Sequence, residues 1–454
     1  VQAPASAPVS LRTLLALAWP IIVSRASQTI VGLSDTLMVA HLGAASLAAT
    51  ATGSMNAFTL FILPMGITFI VSSFSAQLFG QGDLAGARRY GWYGLLVALG
   101  TAVAALASWP FVDAALGLFS YTDEVRRLMG SYIRVRLLSG GAAIGVEALA
   151  NYYGGLGRTR PGMTANLVAM VLNVGGNWLL IDGRLGLPAL GVVGAAWAST
   201  LATSVAFLGF FGWFLLDAVP GARATPRVGE FLRMLRFGIP SGFNWLFEFA
   251  AFVFFANVVV AGLGTATLAA MNAVMSLNSA SFMPAFGLAS AGAILVGQAI
   301  GAGRKDEVPG VVRLTAATAA SWQGLVGLLC LLAPGLLIAP FATGEGGAEV
   351  ARVGAGMLMI SAAWQLFDAV GMTVAEALRG AGDTLFPMVA RVLIAWVLFV
   401  PGSYLSVRSF GWGYQGATTW LVAYLAVLAL AVFLRFRTGA WRRVELVDGA
   451  PPPH

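Results

Sequence analysis

Apolar runs of about 20 residues or more follow one another along the whole chain, broken only by short loops. A segment of that kind has few ways to fold. In lipid every backbone amide must find its partner within the membrane, which leaves helices or a closed barrel. The runs are continuous rather than alternating, and this argues against a β-barrel. The pattern predicts an all-α polytopic membrane protein. Composition agrees: 58% of the 454 residues are hydrophobic and only 10% are charged, against about 25% charged in soluble domains. Glycine is abundant, as close helix packing in lipid favours.

Arginine collects in the loops. Arg88 and Arg89, Arg158 and Arg160, the stretch Asp217 to Arg236, Arg304 with Lys305, Arg379, and Arg435 to Arg443 fall on one side if the chain starts inside the cell. About twelve spans follow, with both termini cytoplasmic in a bacterial plasma membrane. Arg126, Arg127, Arg134, Arg136, Arg184 and Arg408 run against that pattern. The net charge of +7 therefore reads as topology, with the bilayer as partner and no nucleic acid. With only His41 and His454, a histidine metal site is not expected. Lys305, the only lysine, is followed by Asp306, so no phosphate-binding loop ending in Gly-Lys-Ser/Thr exists and ATP hydrolysis by this chain is excluded. The single cysteine, Cys330, cannot form an internal disulfide.

The chain repeats itself. Leu42-Gly43 with Leu47-Ala48-Ala49 returns as Leu263-Gly264 with Leu268-Ala269-Ala270. Gln77, Gly80 and Gly82 return as Gln298, Gly301 and Gly303. Gly155-Leu156-Gly157 with Thr159 returns as Gly380-Ala381-Gly382 with Thr384, and Gly191 with Gly194-Ala195 as Gly413 with Gly416-Ala417. Collinear matches at a near-constant offset predict a duplicated six-helix unit. An even number of spans gives both copies one orientation, hence parallel repeats. The expected division is a disordered tail over 1–10, an N-terminal lobe over 11–216, a basic linker over 217–236, a C-terminal lobe over 237–434 and a tail over 435–454. The first ten residues lack the pattern of a signal peptide.

Against this apolar background, polar residues stand out. Gly238 to Ala256 is a phenylalanine-rich run carrying Glu248, with Ser241 and Asn244 on the same helical face. An ionisable group at bilayer depth costs several kcal/mol unless it faces a partner or a wet cavity. Glu248 therefore either lines a cavity or, when neutral, hydrogen-bonds a neighbouring helix. Asp368 sits in another apolar run, with Gln365 on its face. In the first run Arg25, Gln28 and Asp35 share a broad face; Arg25 either partners a carboxylate elsewhere or snorkels. Asn166, Asn173 and Asn177 align in the fifth run, and three aligned amides serve either a site or interhelical bonding. Glu147 is a lower-ranked candidate, and Glu376 is expected to pair with Arg379. Facing carboxylates can exchange a proton or hold a sodium ion, the chemistry an ion-coupled exporter needs.

These residues also carry a resemblance. Val31-Gly32-Leu33-Ser34-Asp35-Thr36, Leu172-Asn173 with Asn177-Trp178, Phe247-Glu248, Gln365-Leu366-Phe367-Asp368-Ala369-Val370 and Ala377-Leu378-Arg379-Gly380-Ala381-Gly382-Asp383-Thr384 together resemble multidrug and toxic compound extrusion (MATE) transporters, most like the NorM branch. The resemblance covers Leu11 to Leu434. It implies two six-helix lobes in a V-shaped transporter, and antiport of Na⁺ or H⁺ against organic cations and amphipathic drugs, by a monomer without a cofactor. It also implies an N-lobe acidic site at Asp35 with Asn173, Asn177 and Ser199, and a C-lobe cation site, Na⁺ included, at Glu248 and Asp368. Gln28, Asn244, Met275, Gln365 and Glu147 are cavity candidates. Some relatives carry aspartate where Asn177 stands, a departure that would weaken an N-lobe sodium site. The alternative reading is a lipid-linked sugar flippase of the same broad superfamily, which would need cationic residues facing its cavity.

Overall fold

The structure, a computed structural model, describes residues 9–217, 226–342 and 346–447. The first eight residues of the expected tail, part of the expected linker with Arg223, and the last seven residues lie outside the described residues. Helices account for the regular structure, and no strand occurs among the described residues. The first half contributes α1 (Leu11–Val39), α2 (Ala44–Gly80), α3 (Leu84–Ser108), the short α4 (Val112–Leu116), α5 (Asp123–Leu137), α6 (Gly140–Gly155), α7 (Arg160–Leu180) and α8 (Gly191–Leu216). The second half contributes α9 (Val228–Phe254), α10 (Thr265–Gly301), α11 (Val308–Leu332), the short α12 (Pro334–Ile338), α13 (Gly347–Ala381), α14 (Leu385–Leu393), α15 (Val400–Arg408) and α16 (Gly413–Arg437).

Eleven helical segments among the described residues are long and apolar enough to cross a bilayer. The protein is a multi-pass membrane protein. The fourth expected span is the exception, because the turn at Leu138–Ser139 splits it into α5 and α6. Its first part is polar for a local reason. The Thr122 side chain accepts from Val125 N at 3.4 Å and caps α5, while Asp123 and Glu124 occupy the positive first turn.

The duplication has a structural counterpart. Helices α2 and α10 are each 37 residues long and carry an internal proline, Pro64 and Pro284. Helix α2 packs on α3 and α6 as α10 packs on α11 and α13. One repeated glycine explains why that packing is close. A Cβ on Gly155 would lie 2.7 Å from the Ser72 carbonyl oxygen, and one on Gly380 would lie 2.5 Å from that of Ala293. With no hydrophobic force between helices in lipid, such close packing is one of the forces that holds them together.

Two compact units result. One is Val23–Gly242; the other is Phe243–His454 with Val1–Ile22. The first packs around Phe61, Met129, Tyr132 and Ile144. The second packs around Phe255, Met271, Trp364 and Phe399. The division does not fall in the basic stretch 217–236. The reason lies in α1 and α9, which each begin in the unit of the other half. A Cβ on Gly66 would lie 2.6 Å from Gly242 Cα, and one on Gly287 would lie 2.4 Å from Ile22 Cγ1. A break in hydropathy is therefore not a break in packing. The end of the basic stretch is already helical from Val228, where Glu230 receives Arg89 Nε at 2.8 Å and the Tyr93 hydroxyl at 2.9 Å. The expected C-terminal tail is also anchored at its start: Arg435 Nε donates to Asp383 at 2.7 Å and Trp441 is buried.

Candidate functional sites

Asp35, on α1, is 3% exposed. Its Oδ1 accepts from Asn173 Nδ2 at 2.8 Å and Asn177 Nδ2 at 2.7 Å. Its Oδ2 accepts from Ser199 Oγ at 2.6 Å and the Tyr132 hydroxyl at 3.4 Å. Burying a carboxylate costs several kcal/mol, and this ring of donors offsets that cost. The ring is assembled by α5, α7 and α8. Asn173 and Asn177 lie one turn apart on α7, so both amides reach one oxygen. Asn177 Oδ1 is buried and has no partner among the described residues. The amide holding the carboxylate thus keeps an open acceptor.

Gln28 and Asn166 share helical faces with these residues but not their site. Seven residues along a helix are about 10 Å, so facing one way does not make contact. Both belong to a second cluster around Glu147. Arg25 donates from Nη1 and Nη2 to the two Glu147 oxygens, each at 2.9 Å. Gln28 Nε2 donates to Glu147 Oε1 at 2.7 Å and to Asn166 Oδ1 at 3.3 Å, and Asn166 Nδ2 donates to Ser24 Oγ at 2.7 Å. Glu147 and Arg25 are therefore mutual partners, with side chains 7% and 15% exposed.

In the other unit Glu248 and Asp368 line one pocket of about 220 Å³, with Met275, Asn278, Phe252, Trp364 and Tyr424 among its walls. The two carboxylates are held differently. Asp368 accepts from Gln323 Nε2 at 3.0 Å. Glu248 forms an ion pair with Arg391. Asn278 accepts from Trp364 Nε1 at 3.2 Å and Gln365 Nε2 at 2.7 Å, and Ser281 Oγ donates to Gln365 Oε1 at 2.9 Å. Gln365 is spent in that contact between α10 and α13. Asn244 keeps a buried Oδ1 that has no partner among the described residues. No group of three or more His, Cys, Asp or Glu side chains able to hold a metal ion occurs among the described residues. Glu376 and Arg379 form their ion pair along α13.

Sequence reasoning missed Arg391, Gln323 and Tyr132. Arg391 had a signal: it stands in the apolar run Leu385 to Phe399, where a charge needs a partner. Gln323 had a weaker one in Val308–Leu332, and nothing distinguished Tyr132 from a packing aromatic.

The MatE family model matches residues 20–179 and 240–405. The chain is 29% identical over 478 residues to a probable multidrug resistance protein NorM of Mesorhizobium japonicum, covering 100% of this chain and 98% of that protein. It is 26% identical over 444 residues to one of Thermotoga maritima, covering 95% and 93%. It is also 27% identical over 450 residues to multidrug resistance protein PmpM of Pseudomonas aeruginosa, covering 96% and 93%. Among solved structures, a MOP superfamily transporter from Pyrococcus furiosus has the same fold, with a TM-score of 0.86, 23% identity and coverage of 95% of this chain and 97% of that one. A eukaryotic MATE transporter also shares it, with a TM-score of 0.82, 16% identity and coverage of 95% and 96%. The two matched stretches bracket the duplication and contain Asp35, Asn173, Asn177, Glu248, Asp368 and Arg391, and the chain belongs to the MatE family.

Proposed function

We propose that the protein is a secondary active multidrug exporter, antiporting H⁺ or Na⁺ against organic cations and amphipathic compounds by alternating access. It acts as a monomer in a bacterial inner membrane, with both termini cytoplasmic, and breaks no covalent bond. The observation that carries this reading is the pocket in which Glu248 and Asp368 face aromatic walls within membrane-spanning helices. Aromatic faces and a methionine suit flat cationic ligands of varied shape. The carboxylates supply the charge, and no lysine or arginine is among the pocket's lining residues, as a flippase for an anionic lipid would require. The relatives named as multidrug resistance proteins support the same reading.

Coupling needs a site whose occupancy differs between two states. Asp35, fully ringed by donors, and the Glu248–Asp368 pocket are the two places for it. A coupling ion that favours the low-affinity state releases drug, and drug weakens ion binding by the same factor. Expression in an efflux-deficient bacterium tests the reading. Ethidium accumulation should fall relative to empty vector and return when the ion gradients are collapsed. Unchanged accumulation with the protein present in the membrane would overturn it.

A further inference from the structure

The pocket of the second unit contains two carboxylates, yet its charge is not that of two. Glu248 reaches the pocket from α9 and pairs with Arg391 of α14, which is not among the lining residues. The guanidinium lies against the pocket wall, held by Glu248 of that wall. Its side chain is 12% exposed, while that of Glu248 is 35% exposed. The two helices are locked together just beyond this pair. Phe255 packs on Phe399 with ring centroids 5.0 Å apart, and Phe399 stacks on Tyr424 at 5.1 Å. Helices α9 and α14 each run into a π-helical segment, Phe255–Val260 and Ile394–Phe399, a local widening that recurs at functional sites. Asp368 accepts from the Gln323 amide at 3.0 Å.

We propose that Arg391 is a specificity-determining residue: a tethered counter-cation that neutralises Glu248, so that the pocket accepts one monovalent organic cation and excludes Na⁺. The inference deepens the exporter reading and rests on it for the class of drug ligand. The physical reason is charge balance. Glu248, Asp368 and Arg391 sum to a single negative charge, which one ammonium group satisfies. A bare Na⁺ must replace its hydration shell with several hard oxygens. Here Glu248 is committed to a guanidinium, whose donors compete directly with a metal ion for the same oxygens. Removing the guanidinium leaves two uncompensated carboxylates, a site suited to Na⁺ or to a dication.

Two measurements on the purified full-length protein decide this. Ethidium carries one positive charge and propidium carries the same rings with a second ammonium, so their affinity ratio reads the pocket's charge. Wild type should bind ethidium more tightly. In Arg391→Gln the ratio should move toward propidium by about tenfold, a modest fraction of the Coulomb energy of close charges. Arg391→Lys keeps the charge and should keep the wild-type ratio. The second measurement uses no drug: thermal stability in NaCl against choline chloride at equal ionic strength. Wild type and Arg391→Lys should show no Na⁺-dependent rise that Glu248→Gln removes, whereas Na⁺ should raise the melting temperature of Arg391→Gln by about 2 °C or more through Glu248. A Na⁺-dependent rise in wild type that Glu248→Gln abolishes would overturn the proposal, whether or not Arg391→Gln folds. So would an unchanged dye ratio in folded Arg391→Gln. Folded protein that binds neither dye would sink the exporter reading, and the Na⁺ arm would still decide the role of Arg391.

Discussion

Replacing Glu147 by leucine removes the carboxylate that pairs with the half-buried Arg25 guanidinium. The two side chains are 7% and 15% exposed and meet through two parallel 2.9 Å bonds, with Gln28 adding a third donor to the carboxylate at 2.7 Å. Breaking one partner out of a buried ion pair costs about 3–5 kcal/mol, because the remaining charge stays desolvated. Arg25 keeps a bond to Gln28 Oε1 at 3.0 Å and lies over Phe69 at 5.5 Å, which places the loss near the lower end. A loss of about 3 kcal/mol lowers the melting temperature by on the order of 10 °C for a cooperative unit of this size. Removing both charges in Arg25→Met/Glu147→Leu should recover most of it, to within about 1 kcal/mol, since the pair as a whole contributes little net stability. Thermal unfolding of the detergent-purified proteins reads both values. A stable Glu147→Leu, or a double variant as unstable as the single, would refute the reasoning. A stable Glu147→Leu that abolishes export would make Glu147 a coupling carboxylate instead.

Further outcomes can be stated briefly. Asp35→Asn should abolish drug resistance at normal expression; wild-type protection would make Asp35 purely structural. Gly380→Val should fail to accumulate, because its Cβ meets the Ala293 carbonyl oxygen at 2.5 Å, whereas Gly310→Val, with open space around it, should accumulate normally. In a Cys330→Ser background, a cysteine at exposed Ala302 should label only from the cytoplasm and one at exposed Ser120 only from outside. Labelling of Ala302→Cys in intact cells by an impermeant reagent would sink the orientation.

The apolar runs and the repeated glycine motifs carried the all-helical, duplicated architecture, because membrane spans are specified locally by length and hydropathy. What escaped was long-range. The α1 and α9 exchanges depend on close backbone approach at Gly66 and Gly287, and such contacts leave no hydropathy signal. The site divides along the same line. Asp35, Asn173, Asn177 and Ser199 stand out as polar groups in apolar helices, and the structure brings them together. Gln28 looked similar by face but sits with Glu147, because axial distance matters as much as direction. Arg391 shows the remaining gap: its isolation demanded a partner, but nothing in one sequence says which of several carboxylates that partner is.

Purified protein in proteoliposomes tests most directly whether an ion gradient drives export through these carboxylates. Ethidium uptake is followed in the molecules that reconstitution orients to import it, under an imposed pH gradient and, separately, an imposed Na⁺ gradient. Uptake against its own gradient under at least one of them, lost in Asp35→Asn and in Asp368→Asn, is the predicted result. Uptake that ignores both gradients, or that survives both substitutions unchanged, would contradict it.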